Sequence, residues 1–168
     1  MKQKLIIISG SPYVGKTTVT EELYQEYENS AYLDGDWVWH VNPFSVQDPR
    51  LREGDKNVSF VLSNYLNLGF DYVFCSSVVF TDKCIRENIL KDITAKNYDI
   101  IGVSLMCTEK TLFERCEKRG GDNEVSYYWL RLGPYIGDYV VNTDDKSVNE
   151  IIEEIKGIIK NGYKEKMT

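Results

Sequence analysis

The sequence is short of the residues from which metal centres and disulfide frameworks are built. His40 is its single histidine, and its four cysteines, Cys75, Cys84, Cys107 and Cys116, show no CxxC spacing. Zinc motifs are thereby excluded, and free thiols in a reducing cytoplasm are expected. It also lacks any basic run: 20 Lys and Arg against 26 Asp and Glu give a net charge of -6, which suits a phosphodiester backbone poorly, so nucleic acid is not an expected partner. No segment approaches the roughly 18 consecutive apolar residues that cross a membrane. The opening "MKQKLIIIS" holds too short an apolar run for a signal peptide. There is no internal repeat and no low-complexity linker. A length of 168 residues with 42% apolar content fits one domain, 1–168, with one continuous core.

Apolar runs of strand length alternate with stretches of helical period, the pattern of an α/β domain with a mostly parallel sheet. Strands are expected at Lys4 to Ser9, Ala31 to Asp34, Tyr72 to Ser76, Ile100 to Met106 and Tyr139 to Asn142. Helical stripes run through Val19, Leu23 and Tyr27, through Val58, Val61, Leu62, Tyr65 and Leu66, and through Ile85, Ile89 and Ile93. A further helix starts at the cap Thr108, with Glu109 in its first turn and Leu112, Phe113 and Cys116 inward. The last carries Val148, Ile151, Ile152, Ile155 and Ile159 to an Asn161-Gly162 stop. Trp37 to Asp55 and Gly120 to Gly137 lack periodicity and read as functional loops.

"GSPYVGKT", Gly10 to Thr17, matches GxxxxGK[ST] between a buried strand and a helix, the context that a phosphate-binding P-loop requires. Backbone N–H groups of Gly10, Ser11, Pro12's neighbours, Tyr13, Val14 and Gly15, continued by Thr18 in the helix, would wrap the phosphates of ATP. Lys16 would neutralise the β and γ phosphates and act in catalysis, while Thr17 would place its hydroxyl on Mg²⁺. "AYLDGDW" puts Asp34 and Asp36 at the carboxyl end of the second strand, where alternation aims both at the loop and Gly35 leaves room for a substrate. One acid would help hold the metal and the other would take the proton of an attacking hydroxyl. Asp34 is assigned to the metal and Asp36 to the base, both beside the acceptor. A solvated Asp-Gly-Asp turn is the plain alternative.

These motifs resemble P-loop small-molecule kinases of the shikimate kinase, gluconate kinase, adenylylsulfate kinase and chloramphenicol phosphotransferase type. The nearest group is a bacterial set of nucleotide kinases with "DGDW" followed by "NPF", like Asn42-Pro43-Phe44 here. The resemblance implies a three-layer P-loop NTPase fold: a five-stranded parallel sheet of order 2-3-1-4-5, helices on both faces and a short lid at about 118–137. It also implies paired lid arginines, which match Arg115, for the nucleotide, and Arg119, for the transferring phosphoryl group, with Arg131 a weaker third near the substrate. A solvated, salt-bridged helix face is the alternative for these. Trp37 and Ser76 complete the substrate candidates. Trp37, Trp39, His40 and Phe44 would form an aromatic wall for a planar acceptor, or else pack in the core.

Two departures stand out. The third strand ends in Cys75-Ser76-Ser77 with no acid, which shifts the metal duty to Asp34, and Tyr13 occupies a loop position that is usually glycine. The reading is an ATP- and Mg²⁺-dependent phosphotransferase acting on a hydroxyl or phosphate of a small molecule, a nucleoside or nucleotide among the candidates. A nucleotide-binding regulatory NTPase and a polynucleotide 5'-end kinase are the rivals. The acceptor and the oligomeric state stay open.

Overall fold

The computed structural model describes residues 2–45, 47–120 and 126–165, the last four of these as backbone alone. Gly121, in the expected lid, lies outside the described residues. Five strands, β1 (Gln3–Ser9), β2 (Ser30–Asp34), β3 (Tyr72–Ser76), β4 (Tyr98–Met106) and β5 (Tyr139–Asn142), form one sheet of order β2-β3-β1-β4-β5. Every pairing is parallel. The helices are α1 (Lys16–Gln25), α2 (Arg50–Glu53), α3 (Asp55–Asn67), α4 (Lys83–Lys91), α5 (Glu109–Lys118), α6 (Tyr128–Arg131) and α7 (Val148–Glu165).

β1 shows why the sheet is covered on both sides. Its Ile6 and Ile8 pack with Val19 and Leu23 of α1 and Ile151, Ile152 and Ile155 of α7. The alternate residues Leu5 and Ile7 pack with Val58 and Leu62 of α3 and Ile89 of α4. A strand buried on both faces must be apolar at every position, which explains the unbroken run.

Three local expectations change. Phe113 is 48% exposed, whereas Leu112 and Cys116 are buried; a helix brings i and i+4 to one face and turns i+1 about 100° away. α7 runs through Asn161-Gly162 to Glu165, since those residues cost a helix only about 1 kcal/mol each. The two aperiodic segments contain the short helices α2 and α6. Thr108 does cap α5, its side chain accepting from the Thr111 amide at 3.2 Å. From Asp36 to Gly54 no described residue is buried. This segment lies on the frame rather than within it.

Candidate functional site

The sheet's carboxyl edge gathers the site. Gly10 leaves β1 at φ 143, and a Cβ there would lie 2.5 Å from the Leu105 carbonyl oxygen of β4, so only glycine lets the loop begin so close to its neighbour. Tyr13 at φ 66 and Gly15 at φ 106 take left-handed conformations. Gly15 caps α1 without a side-chain hydrogen bond, leaving the first helical N–H groups to face an anion. The Ser11 hydroxyl oxygen is buried within this loop with no hydrogen-bond partner. Lys16 donates to the Ser11 carbonyl at 2.9 Å. Burial pushes its pKa down to about 8, opposed by the charges of Asp36 and Asp34 and assisted by Arg119.

Asp34 is buried and accepts three hydrogen bonds. Oδ2 accepts from Thr17 Oγ1 at 2.9 Å and from the Tyr32 hydroxyl at 3.2 Å, while Oδ1 accepts from the Asp36 amide at 2.9 Å. Asp36 is not placed by strand alternation as expected. β2 ends at Asp34, and Gly35–Trp39 coils into a 3₁₀ turn capped by Asp34's own side chain. Gly35 leaves no room for a substrate either: a Cβ there would meet Ser77 Cβ at 2.6 Å, so the glycine permits β2 and β3 to close together. Asp36 reaches solvent but is crowded enough that partial burial, then the Asp34 charge, raises its pKa, with Lys16 and His40 acting against the rise.

The other predicted residues divide. Arg119 is exposed, its guanidinium 6.0 Å from the Tyr13 ring, and both line a cleft of about 270 Å³ with Gly15, Thr18 and Lys118. Arg115 lines the same cleft half-buried, but its guanidinium is engaged: it donates to the Val14 carbonyl at 3.0 Å, to Thr143 Oγ1 at 2.9 Å and to the Thr143 carbonyl at 2.8 Å. It holds the loop rather than presenting a free fork to a nucleotide. Ser76 is buried and pairs with the Tyr32 hydroxyl at 2.8 Å, so it supports Asp34 from behind and cannot meet a substrate. Arg131 forms an exposed ion pair with Glu109 at 2.8 Å and is not brought to the acids. Trp37 is 52% exposed, its ring edge-on to Tyr32 at 5.4 Å.

Asp36 lines a cavity of about 630 Å³ with Trp39, His40, Phe44, Arg52 and Trp129, closed by Val41, Leu51, Val78 and Val79. The aromatic run past the acids signalled part of this wall. Arg52 and Trp129 fall in the two aperiodic segments read as functional loops but carry no motif of their own, and Val78, just after β3, is unmarked. A second unsignalled feature lies behind the loop, where Arg86 and Asp138 form a buried two-pronged pair, both contacts 2.8 Å. Ser9 and Ser104 also donate to Asp138, and the Arg86 guanidinium sits 3.9 Å from the Tyr135 ring.

Among the described residues no three His, Cys, Asp or Glu side chains cluster to hold a metal. The Thr17 hydroxyl and Asp34 carboxylate, hard oxygens 2.9 Å apart beside the anion cradle, fit an ion that takes most of its ligands from phosphate and water, as Mg²⁺ does. No helix among the described residues is long and apolar enough to cross a membrane.

Residues 6–128 match the family described as an AAA domain. No curated protein matches the chain in sequence. Similar solved structures include the tunicamycin resistance protein of Deinococcus radiodurans, 14% identical with TM-score 0.74, covering 94% of this chain and 96% of that one. The Mycobacterium tuberculosis APS kinase, in complex with AMPPNP and APS, is 18% identical at TM-score 0.67, covering 95% and 98%. Shikimate kinase from Acinetobacter baumannii, in complex with shikimate, is 17% identical at TM-score 0.64, covering 95% and 94%. At these identities the likeness is one of fold.

Proposed function

The chain belongs to the AAA domain family, and on that premise we propose that it is an ATP-dependent phosphotransferase, moving the γ-phosphoryl group to a hydroxyl of a small molecule. The observation that carries this reading is the division of labour between the acids: Asp34 is buried beside the loop, accepting from Thr17, Tyr32 and the Asp36 amide, while Asp36 opens into the cavity beside Lys16. A pure nucleotide switch has no use for a second carboxylate facing an apolar cavity. The likeness in fold to a shikimate kinase and an APS kinase agrees with it.

Mg²⁺, held near Thr17 and Asp34, would neutralise charge between the β and γ phosphates. Loop amides and Lys16 grip the triphosphate, and Arg119 and Tyr13 border the cleft that suits the base. Asp36 orients the acceptor hydroxyl and takes its proton, its raised pKa bringing it nearer to working pH. The remaining assistance is electrostatic, since phosphoryl transfer depends on positioning more than on covalent help. Lys16→Ala should lower phosphoryl transfer by about 10²-fold or more and abolish calorimetric binding of Mg-ATP. Binding that survives the substitution refutes the assignment.

A further inference from the structure

We infer that the phosphoryl acceptor is an uncharged, hydroxyl-bearing molecule with a flat aromatic or apolar body, seated against Trp39, Phe44 and Trp129 with its hydroxyl at Asp36. This rests on the phosphotransferase reading and narrows it, excluding an acceptor phosphate. The cavity's volume of about 630 Å³ falls within the roughly 300–1,000 Å³ of small-molecule sites. Its wall is apolar and partly open to solvent: Phe44 is 57% and Val41 52% exposed. Large apolar side chains exposed together around a concavity mark a binding surface.

Charge decides the acceptor class. Asp36 brings a negative charge to the reacting end. The cationic groups in the described lining are Arg52, half exposed with Nη1 3.5 Å from Asp55 Oδ2 and its guanidinium 5.6 Å from the Trp39 ring, and His40, which acts on Asp36 from the same wall. A phosphate or carboxylate on the acceptor would meet the Asp36 charge against a wall that is apolar apart from these two groups, with Arg52 already facing Asp55. A neutral aromatic body instead finds ring faces on which to stack. Trp39 is fixed for this by Gly54, where a Cβ would lie 2.1 Å from the indole. In the transfer the acceptor oxygen bonds to the γ phosphorus, the bond from that phosphorus to the β,γ-bridging oxygen breaks, ADP leaves with the electron pair, and the hydroxyl proton passes to Asp36.

The test is calorimetry on the full chain, with and without a magnesium complex of a non-hydrolysable ATP analogue, using 2-naphthylethanol and adenosine against AMP, shikimate and gluconate. The neutral pair should bind at least about tenfold more tightly than the three anions. Trp129→Ala should weaken the neutral probes about tenfold, and Gly54→Ala, which displaces Trp39, should do the same. Phe60→Ala, at a side chain 72% exposed on α3 and outside the cavity lining, should leave them unchanged. Anions binding as tightly as the neutral probes, or no saturable binding of either neutral probe, overturns the inference. Analogue binding is read in its own titration, so its failure sinks the phosphotransferase reading separately.

Discussion

Lys16 carries a charge that the folded, ligand-free loop holds at a cost, because burial lowers its pKa to about 8. A phosphate needs the protonated form. ATP affinity should thus stay level up to about pH 8 and then fall by up to tenfold per pH unit, as titration calorimetry would show. The sign for folding is the opposite: a base depressed in the folded state is bound to fewer protons there, so the free protein gains stability as pH rises from about 8 towards the unfolded lysine value. Asp55 is the mirror case. It is buried with Oδ1 unpartnered, and desolvation raises its pKa to about 6 against the pull of Arg52. An acid raised in the folded state favours folding while protonated, and that contribution is lost as pH rises through 6. Asp55→Asn should therefore gain on the native protein by about 3 kcal/mol as pH rises from about 4 to just above 6, measurable as diverging denaturant midpoints. Neither shift was legible from the chain, because both depend on what packs around the group.

Elements explain why the frame could be read and the fine placement could not. β1 announced itself because burial on both faces demands an unbroken apolar run, and the P-loop because Gly10, Lys16 and Thr17 are required types at required spacing. The role of Arg115 was illegible, since one helical turn from Arg119 says nothing of the Val14 and Thr143 carbonyls that it reaches. Through it, α5 clamps the phosphate loop to the segment after β5. Arg115→Met keeps much of the stem's packing and removes three charge-assisted hydrogen bonds, so it should raise the Kd for Mg-ATP by about tenfold or more. An affinity unchanged by that substitution would mean that the loop holds its shape without the clamp. Asp36 was found by type and misplaced by period: the 3₁₀ turn, closed by the Asp34 side chain, replaced the alternation of a strand.

At the scale of the molecule, the Arg86–Asp138 pair joins α4, on one face, to the chain entering β5, with Ser9 and Ser104 of the sheet between them. Gly102 is the space for it: a Cβ there would lie 1.7 Å from Asp138 Oδ1. Asp138→Ala strands a buried guanidinium and should cost roughly 3–5 kcal/mol, read as a lower denaturant midpoint, with a second change of Arg86 to Leu recovering part of the loss. The stretch from Asp36 to Gly54 has the contrary character, since none of its described residues is buried and Val38 alone is packed against the core, yet it furnishes most of the proposed acceptor wall. Selection can rewrite it without disturbing the frame, which makes acceptor choice a portable trait: grafted onto another scaffold of this topology, the stretch should carry its preference along.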